Sequence, residues 1–129
     1  PVQVTELAPG GTPAELGAAL VRGWQAGHAC GAPPLALRAD LGGVRFACSG
    51  DTQWTAALAQ AARGADLFAV EACTFGRPIR YHLDYQTLRA HIAEIHAQRT
   101  VLTHMSTAML SRLADAELPA AYDGMTIDL

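Results

Sequence analysis

The apolar pattern of this chain changes character once, near residue 50, and that switch constrains the fold more than any other feature. Before it, apolar and polar residues tend to alternate. Residues 2–7 (VQVTEL), 18–27, 35–39 (LALRA) and 44–48 (VRFAC) predict strands, because a period of two puts one face in a core and the other outward. Pro9-Gly10-Gly11 and Pro33-Pro34 break the chain, and Leu41-Gly42-Gly43 predicts a hairpin turn. After the switch, strands and helices alternate. Trp54, Leu58, Ala61 and Ala62 recur at helical spacing, with Gly64 as a stop. Residues 66–72 (DLFAVEA) predict a buried strand. Leu88, Ile92 and Ile95 mark a second amphipathic helix, and residues 100–103 (TVLT) a short buried strand. Ser106 is placed to cap a third helix with Met109, Leu110 and Leu113 on its inner face, ended by Pro119. Residues 120–122 and 125–129 predict a last hairpin about Asp123-Gly124. Strands first, then strand and helix in turn, describe a layered α/β domain with helices over a sheet.

With 129 residues the chain is long enough for one domain and a modest core. Half of the residues are hydrophobic and 16% charged, a globular composition. The formal charge of −3 speaks against a nucleic-acid partner, which calls for a basic field. All nine basic residues are arginines, and with abundant Ala and Gly this points to a GC-rich, bacterial coding genome. The three cysteines lack CxxC spacing and read as reduced, buried thiols of a cytoplasmic protein. No apolar run is long enough for a membrane span, and no signal peptide is visible.

Three ionisable residues stand where strands end: Asp51 after Ser49-Gly50, Glu71 after Val70, and His104 after Thr103. Sheets with parallel strands collect functional groups at carboxyl ends. Asp and His are ordinary ligands of zinc and similar ions. Each also has a plainer reading. An Asp in a Ser-Gly-Asp-Thr turn is commonly a turn residue, and a His after a strand is commonly just hydrogen-bonded. Glu71 closes an apolar strand, where an unpaired carboxylate is costly, so it needs a specific partner, and Arg77 or Arg80 in a structural ion pair is one candidate. His91 and His96 flank an apolar stripe and read as surface or interface residues. Met105 and Met109 read as core or pocket lining. Arg77, Arg80, Arg89 and Arg99 form either a solvated face or a phosphate-facing patch.

Taken together, these segments resemble one family. VRFACSGDT (residues 44–52) looks like the Gly-Asp-Thr motif of metallo-β-lactamase-fold hydrolases, and VLTHMS (101–106) is similar to their last motif, a strand delivering a histidine. GADLFAVEA (64–72) and AYDGMTIDL (121–129) fit the same template in order and spacing. The resemblance implies half of an αββα sandwich: a mixed sheet with helices on one face. It implies two divalent metals, zinc or alternatively manganese, with Asp51 as the bridging carboxylate and His104 as a ligand of the second ion. A bridging Asp, where class B β-lactamases often carry Cys, resembles the phosphodiesterase and ribonuclease Z branch. In that branch a His-Glu-Ala-Thr loop orients a later histidine that protonates the leaving group. Here Val70-Glu71-Ala72-Cys73 and His82-Leu83-Asp84 stand at those places, so Glu71 and His82 match as the catalytic pair while Val70 and Leu83 depart from the pattern. His28 either lines the substrate pocket or holds a loop.

The family's leading His-x-His-x-Asp-His cluster has no counterpart among His28, His82, His91, His96 and His104. Residues 1–129 therefore read as the C-terminal part of a metallo-β-lactamase-like domain, binding metal poorly alone. The expected activity is hydrolysis of a small-molecule phosphodiester or ester at a dinuclear site completed from outside this chain. The alternative is a non-catalytic half-domain that pairs or swaps. Either way a homo-oligomer, such as a dimer, or a complementing N-terminal half is expected. The acidic balance and the altered Glu71 loop count against processing of tRNA ends.

Overall fold

The computed structural model describes every residue except Pro1, Gln3 and Gly11. Its centre is a six-stranded mixed sheet whose spatial order follows the sequence. The strands are β1 (Ala14–Leu16), β2 (Ala19–Gln25), β3 (Leu35–Leu41), β4 (Val44–Cys48), β5 (Leu67–Glu71) and β6 (Arg99–Thr103). β1 through β4 form an antiparallel meander, whereas β4, β5 and β6 run parallel. The reason lies in the connections. Gly42 and Gly43 both take positive φ, the conformation that closes a two-residue hairpin between β3 and β4. A parallel pair needs a crossover, and α1 (Ala56–Ala62) supplies one between β4 and β5. Between β5 and β6 the crossover contains α2 (Tyr85–Ala90). α3 (Thr107–Leu110) follows β6.

Register separates the two faces of the sheet. Pairings Trp24↔Ala36, Arg38↔Ala47, Ala47↔Phe68 and Val70↔Leu102 put these residues on one side. Ala36, Ala47, Phe68, Val70 and Leu102 join Leu58 and Ala61 of α1, Leu88 of α2 and Met109 of α3 in one buried cluster. The helices therefore cover one face. Leu16, Leu41 and Phe46 lie on the other and are substantially exposed. Leu67 and Val101 of that face border a cleft shared with residues 125–128.

Several expectations are corrected. The strand expected over residues 2–7 is absent: residues 2 and 4–7 are irregular, residue 3 lies outside the described residues, and the first strand is β1. Alternation in so short a segment has no neighbour to pair with. The Leu88–Ile95 helix breaks at His91 and continues as a 3-10 turn, Ile92–Glu94. The third helix is a single turn, capped as expected by Ser106, and Leu110 is exposed while Met109 is buried. The final hairpin does not form. Ala120 instead makes a parallel bridge to Leu102, and Met125 N–H donates to the carbonyl of Tyr122 in a turn. The cysteines are free, but none is fully buried: Cys30 is exposed and Cys48 and Cys73 are half-buried.

Candidate active site

Asp51, Glu71 and His104 each leave the sheet at the carboxyl end of one of three neighbouring strands, β4, β5 and β6. Because these strands run parallel, their ends meet on one edge, as in open α/β sheets. The loop from β4 turns at Gly50, whose φ is 59° and where a Cβ would stand 3.1 Å from the carbonyl oxygen of Leu35. His104 also sits in the left-handed region, with φ 53°. A non-glycine residue there costs about 1–2 kcal/mol, and such backbone strain clusters at sites that must aim a side chain.

Asp51 and His104 meet: Oδ1 of the carboxylate is 3.2 Å from Nδ1 of the imidazole, and both side chains are about half exposed. Nε2 of His104 is 3.8 Å from Oε1 of Glu71. Glu71 itself is fully buried. Its Oε2 accepts hydrogen bonds from the backbone N–H of Thr52 (2.8 Å) and of Leu83 (3.3 Å), and its Oε1 accepts from Nδ1 of His82. The partner of Glu71 is thus His82, and the Arg77 or Arg80 alternative is not realised. His82 and His104 stack with ring centroids 5.5 Å apart. His28 meets His82 edge-on at 5.3 Å, so all five singled-out residues belong to one cluster.

The remaining histidines lie elsewhere. His91 stacks on Trp54 at 4.2 Å and pairs with Glu94, and His96 is exposed. Met109 is core and Met105 lines a small recess with Cys73, His104 and Ser106. Burial, followed by the nearby carboxylates of Glu71 and Asp51, pushes the Cys73 thiol up.

Two supporting residues escaped the sequence reading. Ser49 Oγ accepts from the backbone N–H of Glu71 (2.9 Å) and donates to the carbonyl of Gly50 (2.8 Å). Thr52 Oγ1 accepts from the N–H of Gly27 (2.8 Å), next to His28. Both sit inside the Ser-Gly-Asp-Thr segment. No sequence signal marks them; their burial on either side of Asp51 does, since a buried polar group is hydrogen-bonded.

The donor set fits a divalent ion of the zinc type. Ligand atoms of Asp51, Glu71 and His104 all lie within 4.8 Å of one another, as do those of His28, Asp51 and His82, and those of Glu71, Cys73 and His82. Two ligands of one tetrahedral ion stand about 3.4 Å apart, near the 3.2 Å separating Asp51 and His104. Glu71 fits less well as a ligand, because both of its oxygens are already accepting hydrogen bonds.

No family model matches this chain, and no curated protein does. Solved structures do. The metallo-β-lactamase fold protein YhfI from Bacillus subtilis superposes with a TM-score of 0.72 at 16% identity, covering 88% of this chain and 51% of that one. Zinc-bound PqqB from Methylobacterium extorquens gives 0.71 at 17% identity, over 95% of this chain and 55% of that one. Short-form human tRNase Z gives 0.66 at 21% identity, over 88% and 43% respectively. The chain has the metallo-β-lactamase fold and spans about half the length of the solved structures it matches.

Proposed function

We propose that this chain supplies one side of a metal-dependent hydrolase site, acting on a phosphodiester or ester bond of a small molecule. The observation that carries the reading is the convergence of Asp51 and His104, 3.2 Å apart, beside a buried Glu71 that grips His82. Asp51 and His104 would hold divalent metal, zinc or manganese, with further ligands from outside these residues. Such a metal supplies Lewis-acid neutralisation of the ester oxygens. The other roles belong to the chain itself. A carboxylate acts only as acceptor, so His82 donates from Nδ1, which leaves Nε2 free to serve a substrate. An imidazole held this way serves as general acid near neutral pH. Thr52 and Leu83 N–H groups keep Glu71 from rotating away, which makes Glu71 a positioning residue. His28, packed against His82, would close the substrate side of the pocket.

Titration of the chain with Zn²⁺, read on its imidazole NMR signals, tests this. His104 and His82 should respond, Asp51→Ala and His104→Ala should weaken uptake with the fold intact, and His82→Asn should lower hydrolysis of bis(4-nitrophenyl) phosphate by the completed site. Imidazole signals indifferent to millimolar Zn²⁺ even with the complementing half present would overturn it.

A second reading draws on the apolar sheet face opposite the helices. Exposed Leu16, Leu41 and Phe46 there call for cover. The solved structures are about twice as long as the matched part, which favours a complementing half over a second copy. A half-domain that only pairs would leave the cluster without catalysis. Free cysteines accord with a reducing, cytoplasmic setting. Among the described residues no helix is long and apolar enough to cross a membrane.

A further inference from the structure

A cleft of about 660 Å³ adjoins the candidate site. Ser106 lines both this cleft and the recess that holds His104 and Cys73, so one side chain joins the two. Phe75 and Ile79 give the cleft an apolar floor, and Arg77, Gln86 and Arg112 stand around it. No carboxylate lines it, in a chain whose net charge is −3.

The arginines of the molecule differ in how fully they are engaged. Arg89 pairs with Glu117, Arg99 donates to the carbonyl of Asp128, and Arg38 and Arg45 share Asp40. Arg80 lies over the ring of Tyr81 at 4.6 Å. Arg112 lies over Phe75 at 4.1 Å and gives only its Nε to Asp115 (2.5 Å), so its terminal nitrogens have no acceptor among the described residues. The guanidinium of Arg77 has no hydrogen-bonding or charged partner among them, as is also true of Arg22 and Arg63, but of these three Arg77 alone lines the cleft. The chain anchors the loop beneath it, because Thr74 Oγ1 donates to the carbonyl of Arg77 (2.5 Å).

Unspent guanidinium donors beside an apolar floor suit a ligand with an anionic end and a carbon body. The planar fork matches phosphate or carboxylate oxygens, while Phe75 and Ile79 accept the carbon skeleton. We infer that this cleft is the specificity subsite of the neighbouring centre and selects substrates whose group beyond the scissile bond is itself an organic anion. The role as a substrate subsite rests on the hydrolase reading; the binding of an organic anion does not. Arg77 and Arg112 hold the anionic end, and Ser106 marks the path from the cleft to His104.

The test is titration of the metal-free chain with phenyl phosphate, followed by backbone and arginine side-chain NMR signals. The expected result is shifts at residues 75–79, Gln86, Ser106 and Arg112. Arg77→Gln should weaken binding about tenfold, the loss of one charge-assisted contact. Benzyl alcohol, with the same ring and no charge, should bind at least as weakly as that variant allows. Arg77 is exposed and unpaired, so its replacement leaves the fold intact, and Arg112→Gln provides an independent second loss. Shifts confined to His28, His82 and His104, binding by both variants as tight as by the wild type, or no shift at all would overturn the inference. A chain that binds phenyl phosphate in the cleft but takes up no Zn²⁺ even with the complementing half present keeps the anion cleft and loses the hydrolase reading. Zinc uptake without cleft shifts gives the reverse.

Discussion

Glu71 shows how much one buried residue can organise. Removing its carboxylate in Glu71→Ala leaves the N–H groups of Thr52 and Leu83 without their acceptor and frees His82. Buried orphaned donors cost about 1–3 kcal/mol each, so urea unfolding should show a loss of at least about 2 kcal/mol. Glu71→Gln keeps one acceptor oxygen and should lose less. An equal, small effect of both would mean that water replaces the carboxylate. Cys73 offers a second check, through pH. Its folded thiol titrates above the ordinary value, chiefly because burial disfavours the thiolate and secondarily because Glu71 and Asp51 repel it. The neutral thiol is therefore favoured in the folded state. That contribution is complete below the ordinary thiol range of about 8.5 and is lost as pH rises through the folded value. Urea midpoints measured from pH 7 to 10 should fall more for the wild type than for Cys73→Ala. The identity of Asp51, Glu71 and His104 as a set was legible from their common place at strand ends. The supporting roles of Ser49 and Thr52 were not, because a hydroxyl in a turn has many plausible partners and only burial selects one.

At the level of elements, short pieces depend on their ends. α2 follows the His82 loop directly and begins at Asp84, whose Oδ1 accepts from Thr87 N–H (3.0 Å) and whose Oδ2 accepts from the Thr87 hydroxyl (2.7 Å). Asp84→Ala removes both and should cost about 1 kcal/mol. Thermal unfolding would detect the change, and the His82 imidazole signal should broaden as the loop loosens. An unchanged melting temperature would show that Tyr85 and Leu88, both buried, hold the helix unaided. The same reasoning explains the elements that departed from expectation. β3, β4, β5 and β6 were legible because each carries a strong apolar pattern and a clear turn or crossover. Residues 2, 4–7 and 125–129 belong to segments of similar alternation but have no strand neighbour in register among the described residues, and alternation alone makes no ladder. His91 interrupts what looked like one helix, and its ring stacks on Trp54 at 4.2 Å, a contact made across the fold.

For the molecule as a whole, the asymmetry of the sheet is decisive. One face is closed by the helices around Leu58, Phe68 and Leu102, and the other leaves Leu41 and Phe46 open to solvent. Leu41→Ser with Phe46→Ser should weaken binding of a complementing half in sedimentation velocity while changing unfolding free energy by less than about 1 kcal/mol, as surface changes do. A large loss of stability would instead show that the face is already covered. The candidate site sits at the carboxyl edge of this sheet, so any layer laid on the open face would arrive beside Asp51 and His104.

From the order of its residues alone, the chain determined its class of fold, the edge at which polar groups gather, and the candidate set Asp51, Glu71, His82 and His104. The layered α/β class and the strand-end trio Asp51, Glu71 and His104 depend on local period, turn chemistry and sequence order, all of which a linear text carries; His82 came from the family resemblance of its loop. Only the tertiary structure decided that His82 rather than an arginine holds Glu71, that His28 joins the cluster, and that Arg77 and Arg112 share a cleft next to it. Those are distances between segments brought together by a crossover. They follow from how the helices seat on the sheet, which no single segment encodes.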